Sequence, residues 1–373
     1  MMNTLHMAKT RIFGVDGSVS PSDASRKRKW LTCRAYAASV IACTLMLGLP
    51  VISVGAEGAD QAAPMGENMV GAMNDQGYMP PGLMVGRAGE WMLGYQFMFD
   101  KMSGNLVGTK RISDEKILER FAMTPTDMEM QMHMFMAMYG VNDDLTLMVM
   151  LPYIRKSMNH VSSMGTPFIE RSEGIGDIEL RGLYTVYGSA DSQHRILLTA
   201  GVGLPTGAID ESMGGIRLEY PMQIGSGTFS LLPGLVYLGK VAQWSWGTEF
   251  GSNLRVGKNS NGYSLGNRHR LSIWGARQLT DSLTVSVRAD GEQWGNIRGA
   301  DRLLDPMDEP TKNAALQAGK RLDFLLGASL NPKLGILKGQ QLFIEAGAPI
   351  YQTLDGPQLK RRWVARFAWQ LSW

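Results

Sequence analysis

Cysteine is almost missing from this chain. Among 373 residues only Cys33 and Cys43 occur, and both lie before residue 56. Whatever follows can form no disulfide and offers no thiolate to a metal. Long apolar runs are scarce as well. After Ala56 none reaches the roughly 18 residues that a spanning helix requires, which excludes a helical membrane protein. Charge is thin, at 19% Asp, Glu, Lys and Arg. Residues 1–56 carry seven of the 37 basic and two of the 34 acidic residues, so the remainder holds 30 against 32. That balance concentrates no basic face, and no nucleic-acid partner is expected.

The N-terminus reads as an export signal. Arg26, Lys27, Arg28 and Lys29 precede the apolar run AYAASVIACTLMLGLPVISVGA, which closes on the small residues Val54, Gly55 and Ala56. Cleavage is expected after Ala56, making residues 1–56 a signal peptide with an N-terminal extension. Residues 57–89 then form a Met-rich periplasmic segment, and residues 90–373 a membrane domain.

Beyond Glu90 one pattern recurs: apolar residues at every second position over about ten residues, separated by Gly, Asn, Asp and Pro. Side chains on a strand alternate faces, so each segment presents one apolar face. Leu93, Tyr95, Phe97 and Phe99 begin the series. Leu145, Leu147, Val149 and Leu151 continue it, as do Ile196, Leu198, Ala200 and Val202, then Leu283, Val285 and Val287, then Leu342, Ile344 and Ala346. Only RLSIWGARQL, near 270–279, leaves the parity open. The last segment, RRWVARFAWQLSW, sets Trp363, Ala365, Phe367, Trp369, Leu371 and Trp373 on one face. In a bilayer such faces meet lipid.

About twelve strands are counted. Short links (YGVNDD, GSADSQ, LGKVAQ, QLTDS, NPKLGILKG) alternate with longer ones, of which TLDGPQLK is the shortest. Short periplasmic turns and long outer loops characterise a transmembrane antiparallel up-and-down β-barrel with both termini in the periplasm. The terminal aromatic strand is expected to close the ring against the first. Its form resembles the C-terminal signal of bacterial outer-membrane proteins, implying outer-membrane lipid and the outer-membrane assembly machinery as partners.

Three stretches, GVNDDLTLMVMLPY, GIGDIELRGLYTVY and GVGLPTG, together with the aromatic end, resemble the outer-membrane transporter-like proteins labelled for the meta-pathway of phenol degradation. The resemblance covers most of the chain after Glu90. It implies a barrel that carries a small solute, hydrophobic and aromatic ones included, without a cofactor. It supplies no catalytic residues.

Methionine is unevenly distributed: 19 lie between residues 57 and 164, and only Met213, Met222 and Met307 follow. Thioethers are soft ligands suited to Cu(I) or Ag(I), which makes copper or silver handling the alternative function. TDMEMQMHMFMAMYG puts Met128, Met130, Met132, Met134, Met136 and Met138 on one strand face and Glu129, Gln131 and His133 on the other. With the polar face turned to the lumen, the methionines are expected to face lipid as flexible apolar filler. Better metal candidates are Met65, Met69 and Met73, spaced by four, and Met158, His160 and Met164, expected in an outer loop.

Charges at the alternate positions form the expected pore lining: Asp177, Glu179, Arg181, Glu249, Arg255, Arg288, Asp290, Glu292, Arg321, Asp323, Glu345, Arg362 and Arg366. Mixed signs across a lumen favour ion pairing for most of them, with a few setting selectivity. NHVSSMG, with His160, Ser162 and Ser163, has the short His-x-Ser spacing of outer-membrane phospholipases, but no orienting partner is in sight. GVGLPTG lacks the Lys-Ser/Thr ending of a phosphate loop. The expected protein is a porin-like channel and not an enzyme.

Overall fold

The computed structural model describes residues 78–333 and 338–373; the expected signal peptide with its extension, and Met65, Met69 and Met73, lie outside the described residues. The alternating segments become strands β1 (Trp91–Gly108), β2 (Met123–Gly140), β3 (Leu145–Ser162), β4 (Ile178–Tyr187), β5 (His194–Leu204), β6 (Gly234–Val241), β7 (Trp244–Val256), β8 (Arg268–Gln278), β9 (Leu283–Trp294), β10 (Gly319–Leu330) and β11 (Gln340–Ser372). Each pairs antiparallel with its neighbours in the chain, and β11 returns to β1, so the ring of strands closes.

The 33-residue β11 is a hairpin in one unbroken extended run. Its first part, from Leu342 to Leu354, pairs with β10, and its second, from Leu354 to Ser372, pairs with β1. The two limbs meet through Ser372 N donating to Gly339 O at 3.2 Å and Arg361 N donating to the Gln352 side chain at 3.0 Å. The wall therefore has twelve passes, as the spacing of the sequence predicts. Trp91 and Trp373 exchange backbone hydrogen bonds of 3.0 Å, the closure expected of the terminal aromatic strand.

Outward positions are apolar all round. Leu147, Leu198, Phe250, Ile273, Val287, Leu326 and Ile344 are exposed, while their strand neighbours Met148, Leu197, Trp274, Ser286, Leu325 and Phe343 are buried in the interior. An apolar belt of this extent is destabilising in water and matches the hydrocarbon of a bilayer. No helix among the described residues is long and apolar enough to cross a membrane.

One irregularity matters for the interior. Lys101 pairs with Trp363 but Met102 pairs with Arg361, so Arg362 is an extra residue in β11, a bulge. The bulge turns Arg361 inward and leaves Arg362 exposed. The even-numbered parity read from the sequence fails at this point, and Arg362 is not part of the lining.

Both ends of the barrel are occupied. At the end where β1 begins and β11 finishes, residues 78–89 run into the lumen; from sequence they belong to the segment ahead of the barrel. Tyr78, Met79, Leu83, Met84 and Val85 are buried against Leu183, Leu197, Val236, Trp274 and Phe343 of the wall. Gly140 permits this path, because a Cβ there would collide with the carbonyl oxygen of Arg87. At the opposite end the long loops fold inward. Leu218 and Met222 pack on Met128 and Met158, and Tyr220, Tyr263, Ile297 and Leu304 form a second cluster beside them.

Candidate functional site

The lumen segment is fixed by specific contacts. Tyr78 N donates to Ser245 Oγ at 3.2 Å, Arg195 Nη2 donates to Met79 Sδ at 3.3 Å, and Gly86 N donates to Thr146 Oγ1 at 3.0 Å. Beyond its inner bend, at Pro80, Pro81, Gly82 and Leu83, a cavity of about 240 Å³ remains within the barrel. Two chemically different walls face each other across it.

One wall is thioether. Met98 from β1, Met132, Met134 and Met136 from β2, and Met148 and Met150 from β3 line the cavity. This reverses the expected orientation of β2: its methionines point to the lumen, and Glu129, Gln131 and His133 point outward. The register pairs Met134 with Gln96, Met136 with Gly94 and Met132 with Met98, all inward positions, whereas His133 pairs with the outward Phe97. Glu129 and His133 find partners on the adjacent strand. His133 Nδ1 shares a 2.8 Å hydrogen bond with Tyr95 OH, and Lys101 Nζ lies 2.8 Å from Glu129 and 2.9 Å from Asp127. Inside, the lining must conform to irregular loops and to the lumen segment, which flexible unbranched side chains do well.

The other wall is charged. Arg181, Glu249, Arg270, Arg288, Glu345 and Arg366 reach the cavity, four cations against two anions. Most are paired. Arg288 Nε lies 3.0 Å from Glu345, Arg366 lies 3.0 Å from Glu345 and 3.3 Å from Asp290, and Arg270 lies 2.6 Å from Asp290. Arg181 lies 2.8 Å from Glu179 on its own strand face. Nearer the loops a second ladder runs from Arg268 to Glu292 (2.9 Å), Arg321 (2.7 Å), Asp323 (3.0 Å) and Arg361 (2.7 Å), and Arg361 ends it on Asp100.

The expected lining residues therefore divide by role. Arg181, Glu249, Arg288, Glu345 and Arg366 border the cavity; Glu179 and Asp290 stand behind it as partners; Glu292, Arg321 and Asp323 belong to the second ladder. Asp177 acts as a loop tie, accepting from Gly207 N at 3.1 Å and Ser226 N at 3.0 Å; Arg255 Nη1 lies 3.7 Å from Asp177 and separately donates to Ser230 Oγ at 2.8 Å. Asp100, Arg268, Arg270 and Arg361 are the charged residues of these ladders that sequence reasoning missed. Arg270 lies in the segment of open parity, and Arg361 is turned inward only by the bulge.

The expected outer-loop triplet comes apart. Met164 is 88% exposed, Met158 is buried among Met128, Leu218 and Met222, and His160 points into a different cluster. His160 Nε2 lies 3.0 Å from Glu309, 3.5 Å from Glu219 and 4.0 Å from Glu170. Burial raises the Glu309 carboxyl and the charge of Glu219 raises it further, against the pull of His160. Burial acts on Glu219 in the same direction, but its contacts to His160 and Glu170 outweigh it and hold that carboxyl below the usual range. The His-x-Ser spacing leads to no nucleophile pair: Ser162 Oγ accepts from Thr166 N at 3.2 Å, and His160 is committed to carboxylates.

The chain matches no protein-family model and no curated protein. Solved structures do match. The COG4313 outer membrane channel from Pseudomonas putida F1 superposes with a TM-score of 0.58 at 12% identity, over 79% of this chain and 100% of that one. The fold is that of an outer-membrane β-barrel. At this identity the likeness is one of fold. Weaker matches include a Pseudomonas aeruginosa FadL homologue (TM-score 0.37, 11% identity, 76% of this chain and 89% of that one). The P. putida toluene transporter TodX is similar (TM-score 0.37, 8% identity, 77% and 90%).

Proposed function

We propose that the protein is a bacterial outer-membrane channel for a small, mainly apolar solute of about one aromatic ring bearing a polar or acidic group. The observation that carries this reading is the two-walled cavity. Its 240 Å³ is more than the roughly 150 Å³ that accommodates benzene in an apolar protein cavity. Thioethers give favourable contacts to aromatic rings, and the excess of arginine opposite suits an acidic or hydroxyl substituent. A wide aqueous pore for hydrophilic solutes fits poorly with a lumen filled from both ends. The expected partners are outer-membrane lipid around the belt, the assembly machinery during insertion, and the solute.

The inward thioethers also favour the second reading, in which the same wall handles Cu(I) or Ag(I). One panel separates the two. Proteoliposomes are offered an aromatic acid, a hexose, an amino acid and Ag(I), and uptake is compared with protein-free vesicles. The channel reading expects uptake of the aromatic acid to exceed that of the hexose and the amino acid, with Ag(I) no faster than in the control. Preferential Ag(I) uptake with no aromatic uptake would replace it by the metal reading.

A further inference from the structure

The cluster around His160 is built unlike the rest of the lumen. Elsewhere each buried carboxylate meets a guanidinium. Here three carboxylates from three separate segments converge on one imidazole: Glu170 from the strand Pro167–Ile175, Glu219 just ahead of the turn Tyr220–Met222, and Glu309 just ahead of the turn Pro310–Lys312. His160 is 1% exposed, and Glu219 and Glu309 are 0%. Both ring nitrogens of His160, both carboxylate oxygens of Glu219 and of Glu309, and one oxygen of Glu170 are buried without a directed hydrogen bond, although Nε2 stands at ion-pair distance from Glu309 and Glu219. Groups left in that state are costly, and ionised ones most of all.

The nearby cations are already engaged. Lys156 Nζ donates to Pro221 O and Gln223 O at 2.7 Å each, and Lys312 Nζ is held by Asp308. Phe168 stacks on the imidazole at 4.9 Å and 9°, which fixes the ring plane, and Nε2 is the nitrogen nearest the carboxylates. The ligand atoms of His160, Glu219 and Glu309 all lie within 4.8 Å of one another.

We propose that His160, Glu219 and Glu309, with Glu170 beside them, bind one divalent transition-metal cation of the zinc type, and that the ion ties two long loops to the β3 wall. The donor set is one nitrogen and carboxylate oxygens with no sulfur, which suits Zn²⁺ and similar borderline cations. Ligand bonds of about 2.1 Å in a tetrahedral arrangement place neighbouring donor atoms roughly 3.4 Å apart. The distances from Nε2 to Glu309 and Glu219, 3.0 and 3.5 Å, bracket that value. Two ionised carboxylates and a neutral imidazole also balance the charge of a divalent cation. Because Glu219 and Glu309 precede the turns that pack over the lumen, the ion would brace the loop-side cover of the barrel.

The test uses the full-length folded protein in detergent, stripped with a chelator, incubated with ZnCl₂ and freed of excess metal. About one zinc per barrel is expected to remain, to resist a large excess of Ca²⁺, and to raise the unfolding temperature. Glu219→Gln with Glu309→Gln should lose that equivalent and the shift, and His160→Asn, as an independent variant, should do the same. X-ray absorption on the wild type should show only nitrogen and oxygen neighbours, imidazole among them. Less than a fifth of an equivalent retained, or unchanged zinc in folded variants, would overturn the proposal, the latter by locating the metal at His133, His194 or His269. A sulfur shell, pointing to the methionines, would overturn it without any variant.

Discussion

Arg288→Glu is expected to lower the barrel's unfolding temperature in detergent sharply and, in those molecules that insert, to shift ion preference toward cations. Arg288 is 5% exposed, lies 3.0 Å from Glu345 and sits over the Trp274 ring at 6.0 Å. Reversal places a second carboxylate beside Glu345 and leaves only Arg366 to compensate both. Breaking a buried pair in this way costs on the order of 3 to 5 kcal/mol. Any relief comes from water drawn into the lumen, which opens a leak. The control Val287→Leu, on the outward face at 47% exposure, should change neither quantity. Unfolding curves and reversal potentials in a salt gradient check both effects together, and if neither moves, the inward assignment of Arg288 is wrong.

Removing residues 57–87 is expected to leave assembly intact and raise single-channel conductance several-fold. The pairing of the wall begins at Trp91 and is complete without the lumen segment. What the deletion removes is the filling: Tyr78, Met79, Leu83, Met84 and Val85, whose burial covers Leu183, Leu197, Val236, Trp274 and Phe343. Uncovering those side chains forfeits hydrophobic stabilisation at about 25 cal/mol per Å², so a lower unfolding temperature should accompany the larger conductance. Unchanged conductance in a correctly inserted variant would move the barrier to the loop end, to the cover formed by Leu218 and Met222.

The strands were legible because alternation is a local property. Leu283, Val285 and Val287, or Leu342, Ile344 and Ala346, announce a lipid-facing side with no knowledge of neighbours, and the aromatic end announces closure. What alternation cannot supply is which side of an ambiguous strand is the inside. For β2 that was decided by partners 28 and 38 residues away, Lys101 for Glu129 and Tyr95 for His133, which make outward polar groups tolerable. A one-residue bulge then moved the inward role from Arg362 to Arg361, and period-two reasoning has no means of locating a bulge. The His160 cluster was less legible still. Glu170, Glu219 and Glu309 have no spacing in common and come together only because separate loops fold into the same end of the barrel.

The central claim is that a solute crosses by the cavity between the methionine and arginine walls. The most direct measurement is uptake of a labelled small aromatic acid by proteoliposomes carrying either the wild type or Met134→Trp, which fills the cavity from the methionine side, with outward Leu198→Trp as the control. Uptake is expected to be fast and saturable for the wild type and for Leu198→Trp, and to fall to the protein-free rate for Met134→Trp while its barrel remains folded. Equal rates for Met134→Trp and the wild type would contradict the claim, because the solute would then be crossing by a route that this cavity does not control.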